Sequence, residues 1–119
     1  MFEDVKWTGV NQYGWDQTTN KVKVYLTSAA FTGVGNHPKQ EVQCEFDPRA
    51  VDLKVRGLNN ANLRFKIPEL FGDIKVADSR IQIKSNSITL TLSKEYDTQW
   101  GDLKKNEKVS KEMAAISKP

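Results

Sequence analysis

Apolar and polar residues alternate through most of the chain. In residues 21–27, Val22, Val24 and Leu26 fall on one side of an extended chain and the lysines on the other, because successive strand side chains point to opposite faces. Six further segments show the same period, and the sequence therefore predicts seven strands in all. The other six are centred on Tyr13, Trp15 and Gln17; Val42, Cys44 and Phe46; Val51, Leu53 and Val55; Leu63, Phe65 and Ile67; Ile81 and Ile83; and Ile88, Leu90 and Leu92.

Turn-forming residues separate these strands. Short links at 18–20, 47–48, 57–60 and 85–86 predict antiparallel neighbours. Two longer links, 28–39 and 68–79, are expected to cross between sheets or ends, with Phe31 anchoring the first to the core. Strands with one apolar face must cover that face, and stacking two sheets does so. We therefore predict an all-β fold, a seven-stranded antiparallel two-sheet β-sandwich.

The 119 residues fit one domain. We predict an N-terminal extension over 1–11, the sandwich over 12–94, and a C-terminal tail over 95–119 that is lysine-rich and poor in apolar residues. Leu103, Val109, Met113 and Ile116 have a loose helical spacing within the tail. The tail is predicted to be flexible or weakly helical, whereas Trp15 and Trp100 are predicted to pack against the core.

Composition and charge indicate the kind of domain and its cellular compartment more clearly than its function. Hydrophobic residues make up 38% and charged residues 28% of the chain, which is typical of a folded domain with an extensive polar surface. The net charge of +3 comes from 18 basic and 15 acidic residues, so charge alone selects no partner. One cysteine, a first segment unlike a signal peptide and no long apolar run predict a cytoplasmic or nuclear domain outside the membrane.

The sequence offers little for catalysis. His37 is the only histidine, next to Pro38 in the long loop, where it is predicted to be solvated. Cys44 alternates with Val42 and Phe46, so its thiol is predicted to face the core. One His and one Cys do not make a zinc site, and Gly33-Val34-Gly35 is too short for a phosphate loop. We expect no catalytic, metal or cofactor site.

Two outward-facing rows are the candidate partner-binding residues. Lys54 and Arg56 lie on one strand of a hairpin, and Arg64 and Lys66 on the other, so four positive charges share one face. The alternative is a solubilising face that also discourages edge pairing. Lys23 and Tyr25 form a second row with Lys21, and tyrosine is favoured at interfaces.

Many modest motifs, in order, resemble a CS domain of the CHORD–SGT type. They span about 12–103 and are Tyr13-Gly14-Trp15-Asp16-Gln17, the strand that follows, Phe31-Thr32-Gly33-Val34 with Pro38, Glu41-Val42-Gln43, the run Asp52 to Asn59, and Trp100 before Leu103. The opening pentapeptide and the Asp52 to Asn59 run are most similar to the calcyclin-binding (Siah-interacting) group of this family. Residues 68–74 are more similar to the SGT-type co-chaperones, which stay a rival assignment.

The resemblance implies an HSP20-like seven-stranded sandwich without a catalytic centre. It implies a protein-interaction domain of a scaffold or co-chaperone, with a heat-shock-protein-90-type chaperone or Siah- or SCF-type ubiquitin-ligase components as partners. The family's dimerisation and calcium-sensor regions flank this domain, so we expect an excised, monomeric domain here. Nucleic-acid binding through the basic hairpin is the alternative, but the aromatic residues are mostly inward or terminal rather than interleaved with the charges.

Overall fold

The computed structural model describes residues 6–105, which form eight strands joined by turns. Three short 3-10 turns, Ala29–Phe31, Val34–Asn36 and Lys39–Glu41, lie in the first long link. The strands are β1 (Thr8–Gly9), β2 (Gly14–Gln17), β3 (Lys21–Leu26), β4 (Val42–Asp47), β5 (Ala50–Leu58), β6 (Ala61–Ile67), β7 (Ile74–Ile83) and β8 (Ile88–Lys94).

Two four-stranded sheets form a sandwich, as the alternation predicts. Sheet A has the order β1-β6-β5-β4, and sheet B has the order β2-β3-β8-β7. All pairs are antiparallel except β1 with β6, which is parallel. The predicted count of seven strands is wrong by one. The additional strand, β1, has only two residues, both exposed, so it leaves no alternation in the sequence.

The core lies between the sheets and is built from the inward residues of each alternating strand. Val22, Val24 and Leu26 of β3 are each 0% exposed, whereas Lys21 and Lys23 between them are exposed. The long 28–39 link contributes Phe31 and Val34 to the same core. The hydrophobic effect thus fixes the register, because a slip of one residue would turn each apolar row toward solvent.

Strand β7 starts earlier than the alternation at Ile81 and Ile83 indicates. It begins at Ile74, and a bulge shifts its pairing with β8 between Lys75 and Arg80. Ser79 stabilises the bulge: its Oγ donates to the Lys75 carbonyl oxygen at 2.9 Å and accepts from the Ser93 amide at 3.2 Å. The predicted long link 68–79 is therefore partly strand.

One end of the sandwich is closed by a clasp of Gln17, Lys94, Trp100 and Gly72. The Gln17 amide holds the Trp100 backbone from both sides, donating to its carbonyl oxygen at 2.8 Å and accepting from its amide at 3.0 Å. Trp100 is only 2% exposed, and its indole lies against Gly72, where an added Cβ would come within 2.8 Å of Nε1. The closing tryptophan of the sequence motif is thus a packing residue.

Lys94 belongs to the same clasp and points toward the core side of β8. Its Nζ donates to the Gln17 Oε1 at 2.8 Å and to the carbonyl oxygens of Thr18 and Thr98 at 2.9 and 2.8 Å. The residue is 2% exposed, and this burial lowers the pKa of Lys94, against the opposing charge of Asp97. Three neutral acceptors satisfy the three donors of the ammonium group.

The segment after Lys94 is exposed over 95–99 and then returns to the core. Trp100 and Leu103 are buried, and Leu70 forms an isolated antiparallel bridge with Lys104. A flexible end therefore does not describe residues 95–105, while Val109, Met113 and Ile116 of the predicted weak helix lie outside the described residues. The domain boundaries at 12 and 94 stay predictions. Within 6–105, no helix has the length and apolar character that crossing a bilayer requires.

Candidate protein-interaction surface

The outer face of sheet A carries the predicted basic hairpin. Val51, Leu53 and Val55 of β5 point into the core, so the alternate residues Lys54 and Arg56 point outward. The pairing of β5 with β6 places Lys54 beside Arg64 and Asp52 beside Lys66. The structure therefore brings Lys54, Arg56, Arg64 and Lys66 onto one face.

Asp52 changes the charge of this face. Arg64 donates from Nε to Oδ1 at 3.0 Å and from Nη2 to Oδ2 at 2.8 Å of Asp52. This two-bond contact is the strong form of an arginine–carboxylate pair, and the hydrogen bond from Arg64 lowers the pKa of Asp52. Because Asp52 neutralises Arg64, three cations of the predicted cluster carry the positive character of the face.

The remaining cations form no ion pair within residues 6–105, although the charges of Lys54 and Lys66 also lower the pKa of Asp52, and Glu45 is paired with Asp52 across β4 and β5. Arg56 donates from Nη1 to the neutral Gln43 Oε1 at 2.8 Å. Lys54 and Lys66 also form no ion pair there, since the described salt bridges join Arg49 to Asp73, Arg64 to Asp52 and Lys105 to Glu69. A carboxylate of a partner could therefore pair with these cations without breaking an existing ion pair.

Trp7 is part of this surface and was missed from the sequence. Its half-buried ring lies 5.9 Å from the Lys54 Nζ and 5.4 Å from the Arg56 Cζ, which is cation–π distance. Beside it, a cleft of about 260 Å³ is lined by Trp7, Gly9, Val10, Asn11, Arg64 and Lys66. No periodicity in the sequence connects Trp7 to the hairpin. The only signal that could have suggested this role is the presence of a large aromatic residue near the start of the chain.

Lys23 and Tyr25 lie elsewhere. They belong to β3 in sheet B, paired with Thr91 and Thr89 of β8, and they face away from the buried residues Val22 and Val24. The two predicted rows are thus on opposite outer faces of the sandwich and cannot form one site. Their roles in partner binding stay predictions.

The residues considered for chemistry have structural roles. His37 is half-buried rather than solvated, with Nε2 donating to the Arg56 carbonyl oxygen at 2.6 Å. Cys44 is half-buried, and burial, followed by the charges of Asp52 and Glu45, raises the pKa of its thiol from 9.0 to about 12. A thiol of that pKa is a poor nucleophile at neutral pH. Residues 6–105 contain no group of three His, Cys, Asp or Glu side chains placed to hold a metal ion.

Fold and surface together define a two-sheet β-sandwich with a polar, partly basic sheet face and a closed core. Residues 11–94 match the family model of the CS domain. The chain belongs to the CS domain family. Consistent with this, the motif residues Trp15, Gln17 and Trp100 have the packing and clasp roles described above.

Relatives place the chain near the calcyclin-binding proteins. It is 35% identical over 104 residues to the calcyclin-binding protein of Rattus norvegicus and 34% identical over the same length to that of Homo sapiens. These alignments cover 87% of this chain and 44% of each relative, so the chain spans less than half of their length. The predicted resemblance to the calcyclin-binding group is confirmed by these relatives, and the SGT-type assignment stays a prediction.

Solved structures support the fold. The CS-b5R domains of human Ncb5or align with a TM-score of 0.65 and 14% identity over 79% of this chain and 25% of that one. The nuclear movement protein of E. cuniculi GB-M1 aligns with a TM-score of 0.57 and 17% identity over 80% of this chain and 100% of that one. Heat shock protein 16.0 of Schizosaccharomyces pombe aligns with a TM-score of 0.57 and 13% identity over 80% and 96%.

Proposed function

We propose that this chain is a non-catalytic protein-interaction domain of a calcyclin-binding-protein-like scaffold or co-chaperone, and that the outer face of sheet A binds an acidic protein surface. The observation that carries the proposal is the row of Lys54, Arg56 and Lys66, outward on adjacent strands and in no ion pair within residues 6–105. Family membership supports the interaction role.

The geometry of the face favours association with a surface rather than with a small molecule. The cations lie on paired strands of one sheet face, and the adjoining cleft, of about 260 Å³, has polar as well as apolar walls. Positive charge on a sheet steers an acidic partner and sets its orientation more than it adds to the final affinity. We therefore expect association that slows as salt rises, with a Debye length of about 8 Å at physiological ionic strength.

The proposed partners are a heat-shock-protein-90-type chaperone or a Siah- or SCF-type ubiquitin-ligase component, in the cytoplasm or nucleus. The proteins similar in sequence are calcyclin-binding proteins, and one protein similar in structure is a heat shock protein. Neither name identifies the partner of this chain. The ligase and chaperone roles can be separated by testing each purified partner against the same set of variants.

The decisive experiment reverses charge on one face at a time. Lys54→Glu with Arg56→Glu reverses two charges on sheet A, and Lys21→Glu with Lys23→Glu reverses two on sheet B. Capture of each purified chaperone or ligase component is measured by surface plasmon resonance at about 50 and about 200 mM salt, a range over which exposed charges become screened. The proposal predicts loss of capture, mainly in the association rate, for the sheet A pair only.

Controls keep the result interpretable. All four substituted side chains point outward, so the thermal midpoint should stay close to that of the parent chain. Lys39→Glu with Lys84→Glu makes the same charge change at two exposed loop positions and should leave capture intact. Unchanged capture by the sheet A pair removes this face from the proposal, and loss only with the sheet B pair transfers the role to Lys23 and Tyr25.

Single-stranded nucleic acid is a second candidate, favoured by one observation. Trp7 brings an aromatic ring among Lys54, Arg56 and Lys66, which is the combination that stacks bases and holds phosphates. Retention of a single-stranded oligonucleotide at about 150 mM salt, where weak non-specific contacts are lost, would support it, and Trp7→Ala should then abolish retention.

A further inference from the structure

The short strand β1 is weakly attached to the edge of sheet A. It pairs with β6 through Thr8 opposite Leu63 and Gly9 opposite Arg64, and both of its residues are exposed. Beyond the strand, the Val10 amide donates to the Arg64 carbonyl oxygen at 2.9 Å, and the Asn62 side chain donates to the Lys6 carbonyl oxygen at a long 3.4 Å. A two-residue strand buries little and opens locally at small cost.

The side chains of β1 form few stabilising contacts with the residues opposite them on β6. Gly9 presents no side chain to Arg64, and a Cβ placed there would touch nothing within 4 Å. Thr8 stands opposite the apolar Leu63. Cross-strand pairs are the main source of side-chain stabilisation in a sheet. Arg64 is already paired with Asp52, but an acidic residue at this edge would also lie near Lys66, which lines the same cleft, and an apolar residue opposite Leu63 would fit better than Thr8.

Open space lies on both sides of the same segment. One cleft of about 260 Å³ lies toward the basic face. Another, of about 350 Å³, lies between Thr8, Gly9 and Val10 on one side and Ser28, Ala30 and Leu63 on the other. The segment therefore leaves clefts on both sides of β1, although just beyond it Val10 packs against the core and the Tyr13 ring lies 5.3 Å from that of Phe65.

The edge continues beyond β1. Because the Arg64 carbonyl oxygen accepts from Val10, the backbone groups of Arg64 point away from β5, and those of Lys66, two residues on, point the same way. No backbone hydrogen bond joins Lys66 to the segment after β1 in the described part of the chain. The strand β6 thus offers an unused donor and acceptor at Lys66 beside an exposed lysine side chain.

We infer that β6 is a strand-addition site, at which an extended peptide of alternating acidic and apolar residues displaces β1 and continues the sheet past Lys66. The acidic residues of the peptide lie beside Arg64 and Lys66 on the outer face. Its apolar residues lie beside Leu63 and replace Val10 and Tyr13 beside Phe65 toward the core. Backbone hydrogen bonds supply the affinity and the alternate side chains the specificity, as in other strand-addition complexes.

Displacement of β1 also changes the basic face. Trp7 immediately precedes β1 and lies over Lys54 and Arg56. When β1 leaves the sheet, Trp7 leaves these two cations, which become available to further carboxylates of the same partner. The inference deepens the proposed function, on which it rests, because it specifies the conformation of the partner and the segment of this chain that competes with it.

The test uses the whole chain and a labelled twelve-residue peptide with glutamate and valine in alternation. A peptide of the same composition with its glutamates and valines in separate blocks is the control. Binding is followed by fluorescence anisotropy at about 150 mM salt, where non-specific charge contacts are weak, and by hydrogen exchange of individual amides. The alternating peptide should bind the more tightly, slow exchange at Lys66 and accelerate exchange at Val10.

Variants of the competing segment give a sharper readout. Gly9→Glu adds a carboxylate to the cleft that Arg64 and Lys66 line, stabilises β1 in place, and should weaken peptide binding about 5- to 10-fold because less of the protein is in the open form. Gly9→Lys also replaces glycine but adds a positive charge to the same basic cleft, so it should weaken binding much less. Trp7→Ala loosens β1 and should tighten binding about threefold.

Several results would overturn the inference. Equal binding of both peptides, or of the parent and Gly9→Glu, means that the contact is electrostatic and does not involve the edge. Capture of a protein partner that depends on Lys54 and Arg56 but not on Gly9→Glu keeps the proposed function and removes strand addition. Dimerisation of the peptide-free chain, with Lys66 protected, means that a second copy occupies the edge instead.

Discussion

Gly72 is the position where one added methyl group should have a large effect. A Cβ on this residue would lie 2.8 Å from Nε1, 3.1 Å from Cε2 and 3.3 Å from Cζ2 of Trp100. The indole has little room to move, because Trp100 is 2% exposed and Gln17 holds its backbone at both the amide and the carbonyl. The ring of the preceding residue, Phe71, also lies near the indole, with its centroid 6.2 Å from that of Trp100.

We predict that Gly72→Ala lowers the free energy of unfolding by about 2 kcal/mol, since overpacking of a well-filled site typically costs ~1–3 kcal/mol. For a domain of this size that corresponds to a fall of roughly 8 °C in the thermal midpoint. Urea unfolding followed by tryptophan fluorescence measures the change, and the unfolding slope should not alter.

Two matched variants separate crowding from a general effect of replacing glycine. Gly101→Ala places a Cβ 3.6 Å from the Phe71 ring, an ordinary contact, and should change stability by less than about 0.5 kcal/mol. Trp100→Leu removes the crowded ring, so Gly72→Ala should cost at least about 1 kcal/mol less in that background. An equal cost of Gly72→Ala in both backgrounds would refute the close-contact explanation.

Three further predictions concern single groups. Gln17→Ala removes both bonds to the Trp100 backbone and one to the buried ammonium group, so it should destabilise the domain by about 2–4 kcal/mol in urea unfolding, whereas Gln40→Ala, at an exposed position, should not. Cys44, whose pKa is raised to about 12 by burial, should react with iodoacetamide at pH 8 about 1000-fold more slowly in the folded than in the urea-unfolded chain, and equal rates would contradict its inward placement. The hydrogen bond from Arg64 depresses the folded-state pKa of Asp52 below 3.8. The Asp52 carboxylate therefore stabilises the fold above pH 3.8, and this contribution is lost as the pH falls through the folded-state pKa. Asp52→Asn should flatten the acid side of a plot of unfolding free energy against pH, and an unchanged plot would argue against the pair.

The alternation of apolar residues was sufficient to predict most of the fold. It located seven of the eight strands and the inward residues such as Leu53 and Phe65, because burial between two sheets imposes a two-residue period. It could not locate β1, whose two residues are exposed and are ordered by pairing with a strand more than fifty residues away. Nor could it show that Ile74 begins a strand before a bulge.

The candidate surface was predicted less completely. The outward direction of Lys54, Arg56, Arg64 and Lys66 follows from the same alternation. The pairing of Arg64 with Asp52 depends on the hairpin register, and the position of Trp7 depends on a long-range contact. Charge counting along a sequence therefore overestimates a cluster wherever a carboxylate on the neighbouring strand lies within reach.

The position of Lys94 also makes it a natural reporter of local opening. Amine-reactive reagents attack an accessible, uncharged amine, and the Lys94 amine is enclosed by three oxygen acceptors at the end of β8. The other lysines within residues 6–105 are exposed or half-exposed. Brief acylation of the native protein should therefore modify those lysines first. The rate at which an acyl group appears on Lys94 in the mass spectrum would then report how often residues 95–105 separate from the sandwich.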